Sequence, residues 1–214
     1  MRNSIIGILI ILISGCNTTE RGSATQTPEN VLIPIPFKAP ADQISYNAYI
    51  PECTKNCNVK LMMDIRETSS SFNYFPFVAF AIQDEKQEHS AQVQVEYAPN
   101  KDIFEYSIVT RHKDTVVDKK LLSEHSLPDM FQFSVQWTND RFTVTPYIKE
   151  VGDGWFRHVP SENALITNLQ FTPYSYAYLA SGSQGRFILF SGEQNILSLN
   201  KQSVNVKPIE KNDL

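Results

Sequence analysis

The stretch Met130–Tyr147, MFQFSVQWTNDRFTVTPY, decides the fold. Phe131, Phe133, Val135 and Trp137 alternate with Gln132, Ser134 and Gln136. Side chains of a strand point to opposite faces with a period of two, so the pattern gives one apolar and one polar face. Thr138, Asn139 and Asp140 then supply a polar turn. Phe142 and Val144 resume the apolar face, with Thr143, Thr145 and Tyr147 opposite. Alternation on both sides of a short polar turn predicts an antiparallel hairpin.

The same reading extends along the chain. Strands are expected at Ile44–Ile50, Val59–Arg66, Phe75–Ile82, Ala91–Tyr97, Ile103–Arg111 and Thr115–Leu121. Further strands are expected at Leu165–Thr172, Tyr174–Leu179, Arg186–Phe190, Ile196–Leu199 and Val204–Ile209. Phe75–Ile82 is almost continuously apolar and reads as a central strand covered on both faces. Val31–Pro40 carries three prolines. Proline cannot fill a central ladder, so this segment reads as an edge strand or an extended lead-in. Short helical turns are expected at Ser123–Asp129 and Ser161–Ala164, and a flexible turn at Gly182–Gly185. Ten to twelve short strands need two packed sheets or a closed barrel. The expected fold is all-β: an antiparallel two-sheet β-sandwich, jelly-roll-like.

The N-terminus carries a different signal. Arg2 precedes an apolar run from Ile5 to Ile13, followed by Ser14, Gly15 and Cys16. About 20 apolar residues are needed to span a bilayer, so the run reads as an export signal. The Ile-Ser-Gly-Cys end resembles the lipobox of bacterial lipoproteins. That resemblance implies lipidation of Cys16, including palmitate, after removal of residues 1–15. Asn17 follows Cys16, and by the sorting rule of Gram-negative lipoproteins this implies the outer membrane of the cell envelope. Residues 16–30 are polar and read as lipidated Cys plus tether. Residues 31–214 read as a single β-sandwich domain.

The chain carries 19 basic and 23 acidic residues, a net charge of −4. No basic cluster offers the footprint of nucleic-acid binding. With Cys16 assigned to lipid, Cys53 and Cys57 remain as a candidate disulfide in an oxidising compartment. Three residues between them, and no companion ligands, argue against a redox or metal site. His89, His112, His125 and His158 lack metal-site spacing and read as separate surface or turn residues. Glu96 and Glu105 are expected as neighbours across adjacent strands, on an ordinary polar face. No residue is assigned a catalytic role, and no cofactor is expected.

The hairpin and strand spacing also resemble the jelly-roll sandwiches of concanavalin-like lectins and laminin-G-like domains. That resemblance implies a carbohydrate-handling surface on one concave sheet or its rim loops. The candidate ligand-binding residues are Trp155, Asp153 and Arg157 in a Gly-rich stretch, with Tyr174, Tyr176 and Tyr178 as an aromatic row. Flat rings beside hydrogen-bonding groups suit sugar or protein recognition. The alternative for the Tyr row is packing within a sheet. The expected function is a lipid-anchored envelope module that binds a glycan or protein without catalysis. The alternatives are a divergent carbohydrate-active enzyme of jelly-roll type and a structural envelope or surface-assembly lipoprotein.

Overall fold

The computed structural model describes residues 32–53, 56–69, 75–125, 130–152, 155–190 and 203–208, with side chains omitted at 125, 148–152, 155–159 and 203–208. Cys16, the tether and the expected strand Ile196–Leu199 lie outside the described residues. The strands are β1 (Leu32–Tyr49), β2 (Cys57–Thr68), β3 (Phe77–Gln83), β4 (His89–Ala98), β5 (Ile103–His112) and β6 (Thr115–His125). They continue as β7 (Met130–Trp137), β8 (Arg141–Gly152), β9 (Trp155–Pro160), β10 (Leu165–Asn168), β11 (Ser175–Phe190) and β12 (Ser203–Pro208). Every pairing among them is antiparallel.

The strands run in the order β10-β8-β7-β2-β11-β3-β4-β5-β6. β11 is the element that makes one ladder into two packed halves. Its first half, Ser175–Ser181, pairs with β3; its second half, Ser183–Leu189, pairs with β2. β1 follows β11 along both halves, with a register shift between Ala39 and Ile44. The result is a jelly-roll-like sandwich that is nearly a closed barrel. The two ends of the ladder are bridged by Lys120 of β6. Its ammonium donates to the Ile166 carbonyl of β10 at 3.1 Å.

The bend falls where a flexible turn is expected from sequence, but the segment is one strand, not two. Gly182 has φ of 54°, a left-handed conformation that strongly favours glycine. A Cβ there would lie 2.4 Å from the Ser69 carbonyl oxygen. At Gly185 it would lie 2.1 Å from the Asp64 carbonyl oxygen. The ladder shifts register between Gln184 and Gly185. The two glycines therefore let the strand pass from one half to the other against a neighbouring backbone.

The core lies between the halves. Phe131, Phe133, Val135 and Trp137 are buried, as are Phe142 and Val144, so the hairpin presents the face its alternation predicts. They meet Val78, Phe80 and Ile82 of β3, Val93 and Val95 of β4, and Tyr106 and Ile108 of β5. The Phe80 and Trp137 rings lie 6.1 Å apart across the sandwich. β3 is buried on both faces and lies between β11 and β4, as its continuous apolar run implies. Pro34 and Pro36 fall in the half of β1 that pairs with β11 alone among the described strands. Ser123 lies in β6, and residues 161–164 form a bend, so neither expected helical turn forms there. Residues 126–129 are outside the described set. The Cys53–Cys57 disulfide forms, with Cα atoms 5.5 Å apart, and Cys57 sits in the core.

Candidate functional site

The sequence-derived ligand residues separate into three groups. Tyr176 and Tyr178 are core residues, 1% and 2% exposed. Tyr49 stacks on Tyr176 at 5.3 Å, and Phe187 lies 4.8 Å from Tyr178. The expected row is therefore corrected: both rings point into the sandwich, because β11 keeps its apolar face inward. Burial pushes both phenols above their ordinary pKa. Tyr174 precedes β11, is 45% exposed, and donates its N–H to the Gln83 carbonyl at 2.8 Å. Trp155 and Arg157 fall at alternate positions of β9, opposite Gly152 and Glu150 in a hairpin with β8. Asp153 lies outside the described residues.

Glu96 and Glu105 are direct partners across β4 and β5. Both approach the Lys119 ammonium, at 3.4 Å and 2.8 Å. Lys101 adds a contact to Glu105 at 3.1 Å. Lys119 and then Lys101 hold the Glu105 carboxyl below its usual range. A general acid needs the opposite shift, so Glu105 is not poised as the acid of a glycosidase.

A different constellation occupies one end of the sandwich. Two histidines expected to stand apart are paired: β4 begins at His89, β5 ends at His112, and the hairpin register sets them opposite. Their rings stack 4.5 Å apart at 9°. Phe171, from the connection between β10 and β11, stacks on His89 at 5.9 Å. These rings help to line a cavity of about 250 Å³, with Leu169, Val117, Arg111, Asn168 and Gln170.

Turn chemistry holds this end together. The Asp84 carboxylate accepts the backbone N–H groups of Glu88 and His89 through Oδ1. Its Oδ2 lies 2.9 Å from His89 Nδ1. Burial alone would raise the Asp84 pKa, but the His89 side-chain and backbone bonds, with the Glu88 N–H, hold it low. Asp84 is thus the ionised acceptor and His89 Nδ1 the donor, which fixes the ring and leaves Nε2 for another partner. The turn between β5 and β6 is tied to the turn between β3 and β4, because the Lys113 N–H donates to the Glu88 carbonyl.

Arg111 borders the cavity beside a bulge. Thr110 pairs with Asp118 and Arg111 with Val116, so Val117 is the extra residue of β6. Bulges re-aim side chains at the ends of strands. Val117 is 67% exposed and lines the cavity. Arg111 Nη1 donates to the Asp114 carbonyl at 3.2 Å. Among the described residues, no carboxylate reaches ion-pair distance of Arg111. Arg66 and Arg186, in contrast, both hold Asp64, at 3.3 Å and 2.7 Å. Burial pushes the Arg111 pKa down, against the attraction of Glu96 and Asp114. A guanidinium nevertheless stays charged in proteins.

Sequence reasoning missed this site for an identifiable reason. The apolar alternation of β4 and β5 stops short of their ends, at Tyr97 and Ile103 around the turn, and at Ala91 on the far side. Continuing the hairpin register outward from Glu96 and Glu105 would have set His89 against His112. Phe171 and the seam with β10 leave no such local signal. Among the described residues, no group of three or more His, Cys, Asp or Glu is placed to hold a metal ion.

No protein-family model matches the chain. No curated protein matches it either. Solved structures with a similar backbone include Scytalido-glutamic peptidase with a peptide-based transition-state analogue, at TM-score 0.47 and 9% identity, covering 80% of this chain and 90% of that one. The exoplasmic/lumenal domain of VIP36 in its Ca²⁺-bound form gives TM-score 0.42 and 11% identity, covering 84% and 87%. Galectin LEC-6 of Caenorhabditis elegans gives TM-score 0.37 and 4% identity, covering 75% and 89%. No activity or ligand is carried over from any of the three.

Proposed function

We propose that the chain is a lipid-anchored binding module of a bacterial envelope, held at the outer membrane through Cys16, and that its sandwich end binds a glycan. The observation that carries this reading is the cavity bordered by the His89–His112 stack, Phe171 and Arg111, which has no carboxylate partner among the described residues. Flat rings offer apolar area, while Arg111, Asn168, Gln170 and His89 Nε2 offer directional hydrogen bonds. This mixture is what small-ligand sites present. Trp155, Asp153, Arg157 and the exposed Tyr174 belong to the same reading as further contacts for a longer glycan or a protein partner.

A glycan array probed with the full chain tests the site. Binding is expected to fall at least about tenfold in Phe171→Ala and His112→Ala while far-UV circular dichroism and melting are retained. Unchanged array profiles in both variants would remove the cavity from the reading. Cys16→Ala tests the anchor: the chain is expected to leave the membrane fraction and to lose labelling by a palmitate analogue. Retention in the membrane fraction would overturn it.

The catalytic alternative has one observation in its favour, the Asp84–His89 pair, since a carboxylate-oriented imidazole can accept a proton. Turnover of an array glycan that vanishes in His89→Gln would establish that reading over simple binding.

A further inference from the structure

The charge at the cavity narrows the ligand class. The protein is acidic overall, yet the described side-chain groups at the cavity wall are Arg111, His89 and His112, with Ser90, Thr110, Asn168 and Gln170. The Asp84 carboxylate is engaged by His89 and by two backbone N–H groups. The Asp114 contact to Arg111 is through its main-chain carbonyl. A half-buried guanidinium bonded only to a main-chain carbonyl keeps donors to offer an anion. Arg66 and Arg186 each hold the Asp64 carboxylate, whereas no carboxylate among the described residues reaches ion-pair distance of Arg111. Four of its five N–H donors have no partner among the described residues.

We infer that this end of the sandwich takes a carboxylate-bearing sugar ring, a uronic acid, with Arg111 as the carboxylate fork and the His89, His112 and Phe171 rings as its platform. The inference rests on the glycan-binding reading and gives it a chemical class. Three features select a uronate. A planar carboxylate accepts two parallel N–H bonds from a guanidinium, a geometry that a neutral hydroxyl does not reproduce. The cavity, at about 250 Å³, lies below the usual range of about 300–1,000 Å³ for drug-sized ligands and suits one ring. The stacked imidazoles and Phe171 line the same cavity as Arg111, so flat faces and a charge border one space. The Val117 bulge and the tie between Lys113 and Glu88 fix the rim on which Arg111 sits.

The experiment is a titration of the full chain with glucuronate, glucose and sulfate, read by the imidazole resonances of His89 and His112 in heteronuclear NMR. Glucuronate is expected to shift both imidazoles and to bind at least about tenfold more tightly than glucose, the difference a charge-assisted pair of hydrogen bonds makes. Sulfate is expected to bind more weakly than glucuronate, because it lacks the ring. Arg111→Gln is expected to bring glucuronate down to the affinity of glucose, and Arg111→Lys to restore part of the difference. Equal shifts by glucose and glucuronate would overturn the acidic-sugar assignment and leave the glycan reading standing. No shift with either sugar would overturn both at this cavity. Sulfate binding as tightly as glucuronate would overturn the uronate assignment in favour of a simple anion site. The three titrations of the unmutated chain decide the matter even if an Arg111 variant fails to fold.

Discussion

Gly182→Ala is the substitution that most directly probes how the two halves are joined. Two costs follow from the geometry. The backbone at Gly182 sits at φ of 54°, where an L-residue with a Cβ is disfavoured by about 1–2 kcal/mol. The new Cβ would also fall 2.4 Å from the Ser69 carbonyl oxygen and 3.2 Å from the Pro76 Cα. Both neighbours are backbone, so relief requires the chain to move. Moving it strains the Ser69 N–H bond to the Gly182 carbonyl, now 2.8 Å, whose loss costs about 0.5–1.5 kcal/mol. Together these give a destabilisation of about 1.5–3.5 kcal/mol. For a chain of this size each kcal/mol lowers the melting temperature by about 2–4 °C, so a drop of roughly 3–14 °C is expected. Calorimetric melting of the wild type, Gly182→Ala and Gly182→Asn separates the two costs. Asn tolerates the left-handed region better but carries the same Cβ, so it should recover only the conformational part. A Gly182→Ala protein melting within about 1 °C of wild type would refute the argument that glycine is needed at the crossover.

Tyr174 and Tyr176 are two residues apart, yet their alanine variants should behave differently. Tyr174→Ala should stay within about 0.5 kcal/mol of wild type in urea unfolding. Tyr176→Ala should lose about 3–5 kcal/mol, as other buried aromatics do. Cys53→Ser opens a link of sequence separation 4 and should lower stability by about 2 kcal/mol, with no further effect of reductant on the variant. Asp84 has a folded-state pKa held below its unfolded value, so its contribution is complete above about pH 3.9 and is lost as pH falls through the folded value. Asp84→Asn should therefore be the less stable protein at pH 7, by under about 1 kcal/mol after solvent screening, and should show a smaller loss of urea midpoint between pH 5 and about pH 2. Parallel acid profiles for the two proteins would rule out that contribution.

The local pattern carried a great deal of the fold. Phe131 to Trp137 and Phe142 to Val144 alternate because one face of each strand is solvated and the other is buried, and the folded chain keeps that face. The continuous apolar run of β3 marked a central strand, since both of its faces are covered. The proline-rich start of β1 read as an edge because proline lacks the ladder donor. Cys53 and Cys57 are close enough in sequence for their pairing to be a local matter. Glu96 and Glu105 followed from a single hairpin turn.

What the sequence by itself determined is therefore the class: an all-β chain of strands with apolar faces to bury, with local hairpins in register. Tertiary structure decided which face of a strand meets which neighbour, and here that choice places the candidate site. Tyr174, Tyr176 and Tyr178 look alike in sequence. Only the pairing of β11 with β1 and β3 sends two of them into the core and leaves Tyr174 outside. Gly182 and Gly185 read as a turn, because a local rule registers backbone freedom but not the partner strands that keep the segment extended through a bend. The candidate site joins residues from β4, β5, the β6 bulge and the connection before β11. Its chemistry arises from long-range closure of the sandwich, which sets Phe171 on His89 and leaves Arg111 at the rim without an acidic partner among the described residues.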